Sequence, residues 1–228
     1  MNVFEDHYGL ELKNLFVVPA VSLFFFFLIG AFASPSIISM VESDFANPNI
    51  NLIFSSPFEV FTLQLFTALI FALAFTLPVL LLQFKAFITS ALNEKEAKAL
   101  NLTIPVSLVL FVLGAVIAYK LVLVQGITFL ASIAGFPILW NAYAMVSSIV
   151  FFSFVAGLAF QLPLILKFLS HAGIVNKEML LSKRKHAWLG LTVFSAVLTP
   201  TGDALTMVLF ALPLIVLFEL SIKTIKEE

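Results

Sequence analysis

Long runs of uncharged, apolar residues constrain this chain more than any other feature of its sequence. A helix rises about 1.5 Å per residue, so about 20 apolar residues cross a hydrocarbon layer of roughly 30 Å. Six segments reach or approach that length: residues 16–33, 58–83, 100–119, 144–166, 187–198 and 204–222. They do not alternate in polarity as the strands of a membrane barrel do. The sequence therefore predicts an all-α, polytopic membrane protein with six transmembrane helices in one domain, residues 1–228.

The composition excludes several classes of protein. Only 11% of the 228 residues are charged and 61% are hydrophobic, whereas a soluble domain carries charge at about a quarter of its positions. The 12 basic and 13 acidic residues provide no positive field for nucleic acid. The chain has no cysteine, no phosphate-binding Gly-rich loop and no His-Glu-x-x-His motif. We therefore predict no enzymatic activity, no cofactor and no metal site.

Basic residues are concentrated on one side of the predicted membrane topology. Lys120 lies on one side, and the other eleven basic residues lie on the opposite side: Lys13, Lys85, Lys95, Lys98, Lys167, Lys177, Lys183, Arg184, Lys185, Lys223 and Lys226. Cytoplasmic loops carry the excess of Lys and Arg. This bias predicts that both termini lie in the cytoplasm and that the protein resides in the cytoplasmic membrane.

Two long extracytoplasmic loops are predicted between these segments. Ser34–Pro57 contains an amphipathic stretch, Ser36–Phe45, which predicts a short helix lying along the membrane interface. Lys120–Tyr143 is mostly apolar, and Trp140 within it is expected to anchor the chain at the interface together with Tyr143.

Proline residues lie within or directly after several of the predicted helical segments. Pro78 and Pro163 are expected to interrupt the second and fourth helices, because proline removes a backbone hydrogen bond. The fifth segment is only twelve residues long and ends at a tight turn that contains Pro200 and the turn residue Asp203. A fifth helix too short to span the bilayer is therefore predicted.

Polar residues inside or beside the membrane are the candidates for function. Gln161 lies within the fourth segment, where a satisfied interhelical amide and a functional amide are both consistent with the sequence. Glu219 lies one turn from the cytoplasmic end of the last segment, where snorkelling explains it as well as function does. Glu11, Glu94 and Glu96 are cytoplasmic carboxylates, which alone indicate no role.

Several short sequence motifs occur in a characteristic order along the chain. They are Ser56-Pro57-Phe58-Glu59, Leu77-Pro78, Phe160-Gln161-Leu162-Pro163, Lys183-Arg184-Lys185, Leu198-Thr199-Pro200 with Asp203, and Phe218-Glu219. Each string is common by itself, but the ordered set resembles the TatC family, the multi-helix core of the twin-arginine protein translocase.

The resemblance implies a cup-shaped receptor of six helices with both termini in the cytoplasm. Such a receptor binds the signal peptides of folded proteins and assembles with single-span TatA/TatB-type subunits. It works as a homo-oligomer within a hetero-complex, and the transmembrane proton gradient supplies the energy.

The resemblance also gives roles to individual residues. In the family, acidic residues at the start of the first helix and in the first cytoplasmic loop engage the paired arginines. They correspond here to Glu11 and Glu96, with Glu94 nearby. Gln161 stands where the family usually has Glu, so hydrogen bonding is retained and the charge is lost.

Two other classes of function remain open from the residues. A small-solute secondary transporter would also combine broken helices with an intramembrane amide, although no internal repeat is evident. A membrane scaffold without transport is the third reading.

Overall fold

Helices dominate the fold. In a computed structural model, the structure describes residues 3–45, 50–89, 94–134, 138–171, 173–198 and 204–225. The helices are α1 (Val3–Asp44), α2 (Pro57–Thr89), α3 (Glu94–Ile117), α4 (Gln125–Ala134), α5 (Ala142–Ala159), α6 (Leu162–His171), α7 (Lys177–Ser182), α8 (Arg184–Leu198) and α9 (Ala204–Thr224). A π-helical segment, Ala118–Val124, joins α3 to α4, and two short strands are β1 (Ile50–Ile53) and β2 (Ile138–Asn141).

All six predicted segments are helical, which confirms the all-α membrane fold. Among the described residues, five helical stretches are long and apolar enough to cross a membrane: Phe16–Asp44, Pro57–Gln83, Pro105–Ile133, Ala142–Ser170 and Thr206–Lys223. The remaining predicted segment forms α8, whose 15 residues span about 22 Å. The fifth helix is therefore short, as the sequence predicts.

The chain divides into two compact units, and the first consists of Met1–Met40 and Ser56–Leu108. Within it, α1 approaches α2 closely at Gly30, where an added Cβ would lie 2.7 Å from the carbonyl oxygen of Ala68. The ring of Phe75 packs nearby against Phe26 and Phe71, with centroid distances of 5.7 and 4.3 Å. Small residues at such contacts are typical of helix packing in lipid.

The second unit consists of Val41–Ser55 and Val109–Glu228 and is held by reciprocal contacts between glycines and aromatic rings. An added Cβ at Gly114 would lie 2.5 Å from Cγ of Phe160, and one at Gly157 would lie 2.7 Å from Cε2 of Phe111. Phe160 belongs to a buried apolar cluster whose other members are Ala118, Ala156, Leu198, Phe210 and Leu214. This cluster is the core of the unit.

The prediction of a loop after residue 33 is wrong, because α1 continues as one helix of 42 residues to Asp44. Pro35 lacks the N–H that would bond to the carbonyl of Ala31. The hydroxyl of Ser34 donates to that carbonyl instead, at 3.1 Å, and Ser34 is fully buried. The predicted interfacial helix at Ser36–Phe45 is therefore the end of α1 and not a separate element.

The predicted loop Lys120–Tyr143 is also wrong over most of its length. The π-helical segment and α4 extend the helix to Ala134, and β2 follows shortly afterwards. β2 pairs in parallel with β1, with Ile50 opposite Ile138 and Leu52 opposite Trp140. The two predicted loops thus meet in a short sheet that the sequence analysis does not anticipate.

The prolines differ in their effects. Pro57 is the first residue of α2, where its missing N–H removes no helical bond. Pro78 lies inside α2, which stays helical to Thr89, so the predicted interruption there is wrong. Pro163 does interrupt its helix as predicted, since α5 ends at Ala159 and α6 begins at Leu162.

The contact between Gly114 and Phe160 generates the first prediction. Gly114→Ala places a methyl group against the part of the Phe160 ring nearest its backbone, so we expect the free energy of unfolding to fall by about 1–3 kcal/mol. Unfolding of the purified protein by titration with SDS, followed by tryptophan fluorescence, measures the change.

Gly190→Ala is the matched control, because a Cβ at Gly190 in α8 meets nothing within 4 Å. Alanine is the better helix former by up to about 1 kcal/mol, so this variant should be no less stable than the parent. Equal resistance of Gly114→Ala and the parent to SDS would contradict the proposed tight packing.

Candidate functional site

The three carboxylates expected to bind a signal peptide lie at helical positions. Glu11 lies within α1, five residues before the apolar span that begins at Phe16, and Glu94 and Glu96 lie in the first turn of α3. Glu94 and Glu96 thus lie between the spans Pro57–Gln83 and Pro105–Ile133, at helical and not loop positions. All three belong to the first compact unit. Acidic residues in a first turn are favoured by the helix dipole, which accounts for Glu94 and Glu96 opening α3.

Gln161 lies at the break between α5 and α6, inside a membrane-spanning segment. Its backbone N–H donates to the carbonyl of Leu158 at 2.9 Å. Its side chain is only 7% exposed, and Nε2 donates to the carbonyl of Gly157 at 3.5 Å, the long limit of a hydrogen bond. The break thus buries a neutral polar group within the second unit, where an ionised carboxylate would carry a much larger desolvation cost.

Glu219 on α9 is bound by two side chains from the start of α8. Nε of Arg184 and Nε1 of Trp188 both donate to Oε1 of Glu219, at 2.6 and 2.8 Å. The guanidinium of Arg184 also lies over the indole ring of Trp188, 5.0 Å from its centroid. The pair is partly exposed, and such pairs contribute about 0–1 kcal/mol. The contact therefore fixes the relative position of two helix ends more than it stabilises the fold.

A second ionic cluster, at Asp44, is one that the sequence analysis misses. The carboxylate of Asp44, at the end of α1, accepts hydrogen bonds from the Tyr119 hydroxyl and, at 2.7 Å, from Nζ of Lys120. Lys120 also lies 5.0 Å from the centroid of the Tyr119 ring. Lys120 is the one basic residue on its predicted side of the membrane, and nothing near it in the sequence indicates that Asp44 is its partner.

Pro200 and Asp203, predicted to form the tight turn, lie outside the described residues. Within the part of the chain that the structure describes, no group of three His, Asp or Glu residues could hold a metal ion.

Comparison with known proteins gives the family. Residues 8–213 match the family model described as Sec-independent protein translocase protein (TatC). The chain is 32% identical over 219 residues to the Sec-independent protein translocase protein TatCy of Bacillus subtilis (strain 168), covering 93% of this chain and 84% of that protein. It is 35% identical over 181 residues to the corresponding protein TatC of Aquifex aeolicus (strain VF5), covering 77% and 74%.

The fold agrees with these similarities. A crystal structure of the Twin Arginine Translocase Receptor TatC in DDM matches with a TM-score of 0.83 and 28% sequence identity, covering 95% of this chain and 98% of that one. A second crystal structure of the same receptor matches with a TM-score of 0.78 and 29% identity. The protein is therefore a multi-pass membrane protein and a protein-transport component, and it belongs to the TatC family of Sec-independent protein translocases.

Proposed function

We propose that this chain is a receptor that binds the twin-arginine signal peptides of folded proteins. The observation that carries the proposal is the similarity of nearly the whole chain, 95% at a TM-score of 0.83, to a solved twin-arginine translocase receptor. The small-solute transporter and the passive scaffold remain possible readings of the residues alone, but membership of a protein translocase family favours neither of them.

The proposed binding groups are Glu11 and Glu96, with Glu94 beside the latter. A carboxylate accepts two parallel hydrogen bonds from the planar guanidinium of arginine, a geometry that lysine does not offer. Two carboxylates that each bind one of two consecutive arginines therefore bind an arginine pair more tightly than a pair of lysines. That Glu11 and Glu96 belong to the same compact unit supports this assignment.

Charge pairing alone is too weak to hold a signal peptide, because exposed pairs contribute only about 0–1 kcal/mol each. The first unit offers apolar surface as well: Phe24, Phe25 and Phe32 of α1 are exposed, the last by 88%. In the membrane these rings contact lipid or another apolar segment. We infer that the apolar part of the signal peptide supplies the remaining affinity by packing against such surfaces.

The topology, partners and energy source belong to the same proposal. Eleven of the 12 basic residues on one predicted side support placing both termini in the cytoplasm and the protein in the cytoplasmic membrane. We propose that it assembles with TatA/TatB-type single-span subunits, as a homo-oligomer within a hetero-complex, driven by the proton gradient. Gln161 and Glu219 are the proposed contacts with those partners.

The double substitution Glu11→Gln with Glu96→Gln tests the binding site. Because both carboxylates lose their charge, we expect affinity for a twin-arginine signal peptide to fall several-fold and by no more than about thirtyfold, with a smaller loss in each single variant. Photo-crosslinking of a labelled signal peptide to the purified protein, over a range of peptide concentrations, measures the affinity.

A twin-lysine peptide and the variant Glu178→Gln serve as controls. Glu178 is an exposed carboxylate in the first turn of α7 and should be replaceable without effect. Crosslinking that is equal for both peptides, or that persists at full strength in the double variant, would refute the assignment of the two carboxylates.

The substitution Gln161→Leu tests the proposed partner contact. Leucine replaces the buried amide with an apolar side chain of similar size. We therefore expect the protein to insert normally and to retain less than half of its single-span partners. Co-purification of those partners with the tagged protein from detergent-solubilised membranes measures the loss. Gln125→Leu, at an exposed position that begins α4, is the matched control. Equal recovery of partners with both variants would exclude a role for Gln161 in assembly.

A further inference from the structure

A surface formed by α7 and the start of α8 exposes both apolar and basic side chains. No residue of α7 is buried, and Ile174, Met179 and Leu181 are exposed by 62%, 40% and 47%. Exposed apolar side chains are expected where a helix crosses lipid, but α7 is only six residues long and does not span the membrane. We name the exposed side chains of Ile174, Met179, Leu181, Lys183 and Lys185 the α7–α8 surface.

The same surface is cationic. Residues 173–189 contain four basic residues (Lys177, Lys183, Arg184, Lys185) and one acidic residue, Glu178, for a net charge of 4 − 1 = +3 with histidine neutral. Lys183 and Lys185 are exposed, and neither has an anionic partner among the described residues. The charges of Lys183 and Lys185 are therefore directed to the surroundings, whereas the charge of Arg184 is paired with Glu219.

The position of this surface follows from the contacts of Glu219. Arg184 and Trp188 both bind Glu219, which lies four residues before the end of the membrane-spanning stretch Thr206–Lys223. The start of α8 is thereby held beside the point where α9 leaves the hydrocarbon layer. A tryptophan at that depth is typical of a membrane–water boundary.

We infer that the α7–α8 surface binds the headgroups of anionic phospholipids. Apolar side chains that enter the acyl region, flanked by lysines that reach phosphate, are the pattern of a segment lying in the membrane interface. Each lysine near an anionic bilayer surface is expected to contribute a factor of roughly five in affinity. Charge complementarity and the boundary position both favour a bilayer lipid over a soluble anion. The inference holds whichever side of the membrane this surface faces.

The two tryptophans of the chain allow a direct test. Trp140→Phe leaves Trp188 as the single fluorophore, beside Arg184 at the α7–α8 surface. The full-length protein is reconstituted into vesicles of phosphatidylglycerol and phosphatidylcholine in equal amounts, with brominated acyl chains on one lipid or on the other. Bromine quenches tryptophan on contact, so the ratio of the two quenching efficiencies reports which lipid occupies the site.

We expect brominated phosphatidylglycerol to quench Trp188 several-fold more effectively than brominated phosphatidylcholine. Lys183→Gln with Lys185→Gln should remove most of this preference, whereas Lys183→Arg with Lys185→Arg should keep it and so exclude misfolding as the cause. The preference should also weaken as the salt concentration rises. As a matched control, Trp188→Phe leaves Trp140 on β2 as the reporter, whose quenching ratio the two glutamine substitutions should not change.

Three results would overturn the inference. They are equal quenching of Trp188 by both lipids, an undiminished preference in the double glutamine variant, and displacement of phosphatidylglycerol by millimolar glycerol phosphate, which would indicate a soluble-anion site. None of these measurements uses a signal peptide, so their outcome is independent of the proposed receptor function.

Discussion

A backbone carbonyl that loses its donor inside the hydrocarbon layer has no water to replace it, and this constraint shapes the fold. Pro35 and Pro163 each remove one such donor, with opposite results. At Pro35 the hydroxyl of Ser34 donates to the orphaned carbonyl of Ala31, and α1 continues. At Pro163 the helix breaks, and the chain turns through Gln161 before α6 begins. At Pro35 a hydroxyl replaces the missing donor, and at Pro163 the helix ends before the proline.

The apolar segments that form the membrane-spanning helices, and their order, were predictable from the sequence, because apolar runs of membrane-spanning length have few other structures available, whereas α4 and α7 were not predicted. The residues at which the helices begin and end were not predictable. The sequence predicts a loop that begins at Lys120, but Asp44 lies 76 positions earlier in the chain and pairs with this lysine. Local pattern does not reveal such a partner. Glu94, by contrast, opens a stretch of strong helix formers, and helix propensity would have placed it in α3.

The candidate site was only partly accessible from the sequence. The roles proposed for Glu11 and Glu96 come from an ordered set of family strings, since isolated carboxylates carry no signal of their own. Gln161 was identifiable as a polar residue within an apolar run. The contact of Glu219 with Arg184 and Trp188 was not, because it joins residues more than 30 positions apart on separate helices. Tertiary packing, rather than local chemistry, creates that cluster.

The shortness of α8 has a consequence for the surrounding bilayer. At about 22 Å, the helix falls roughly 8 Å below the thickness of an ordinary hydrocarbon layer. Mismatch costs a fraction of a kcal/mol per Å, so one way to match α8 is for the lipid to thin around it, and the other is for the helix to end inside the layer. A compressed layer shortens the distance over which a polypeptide must leave water. Where the layer thins, that distance is shortest beside α8.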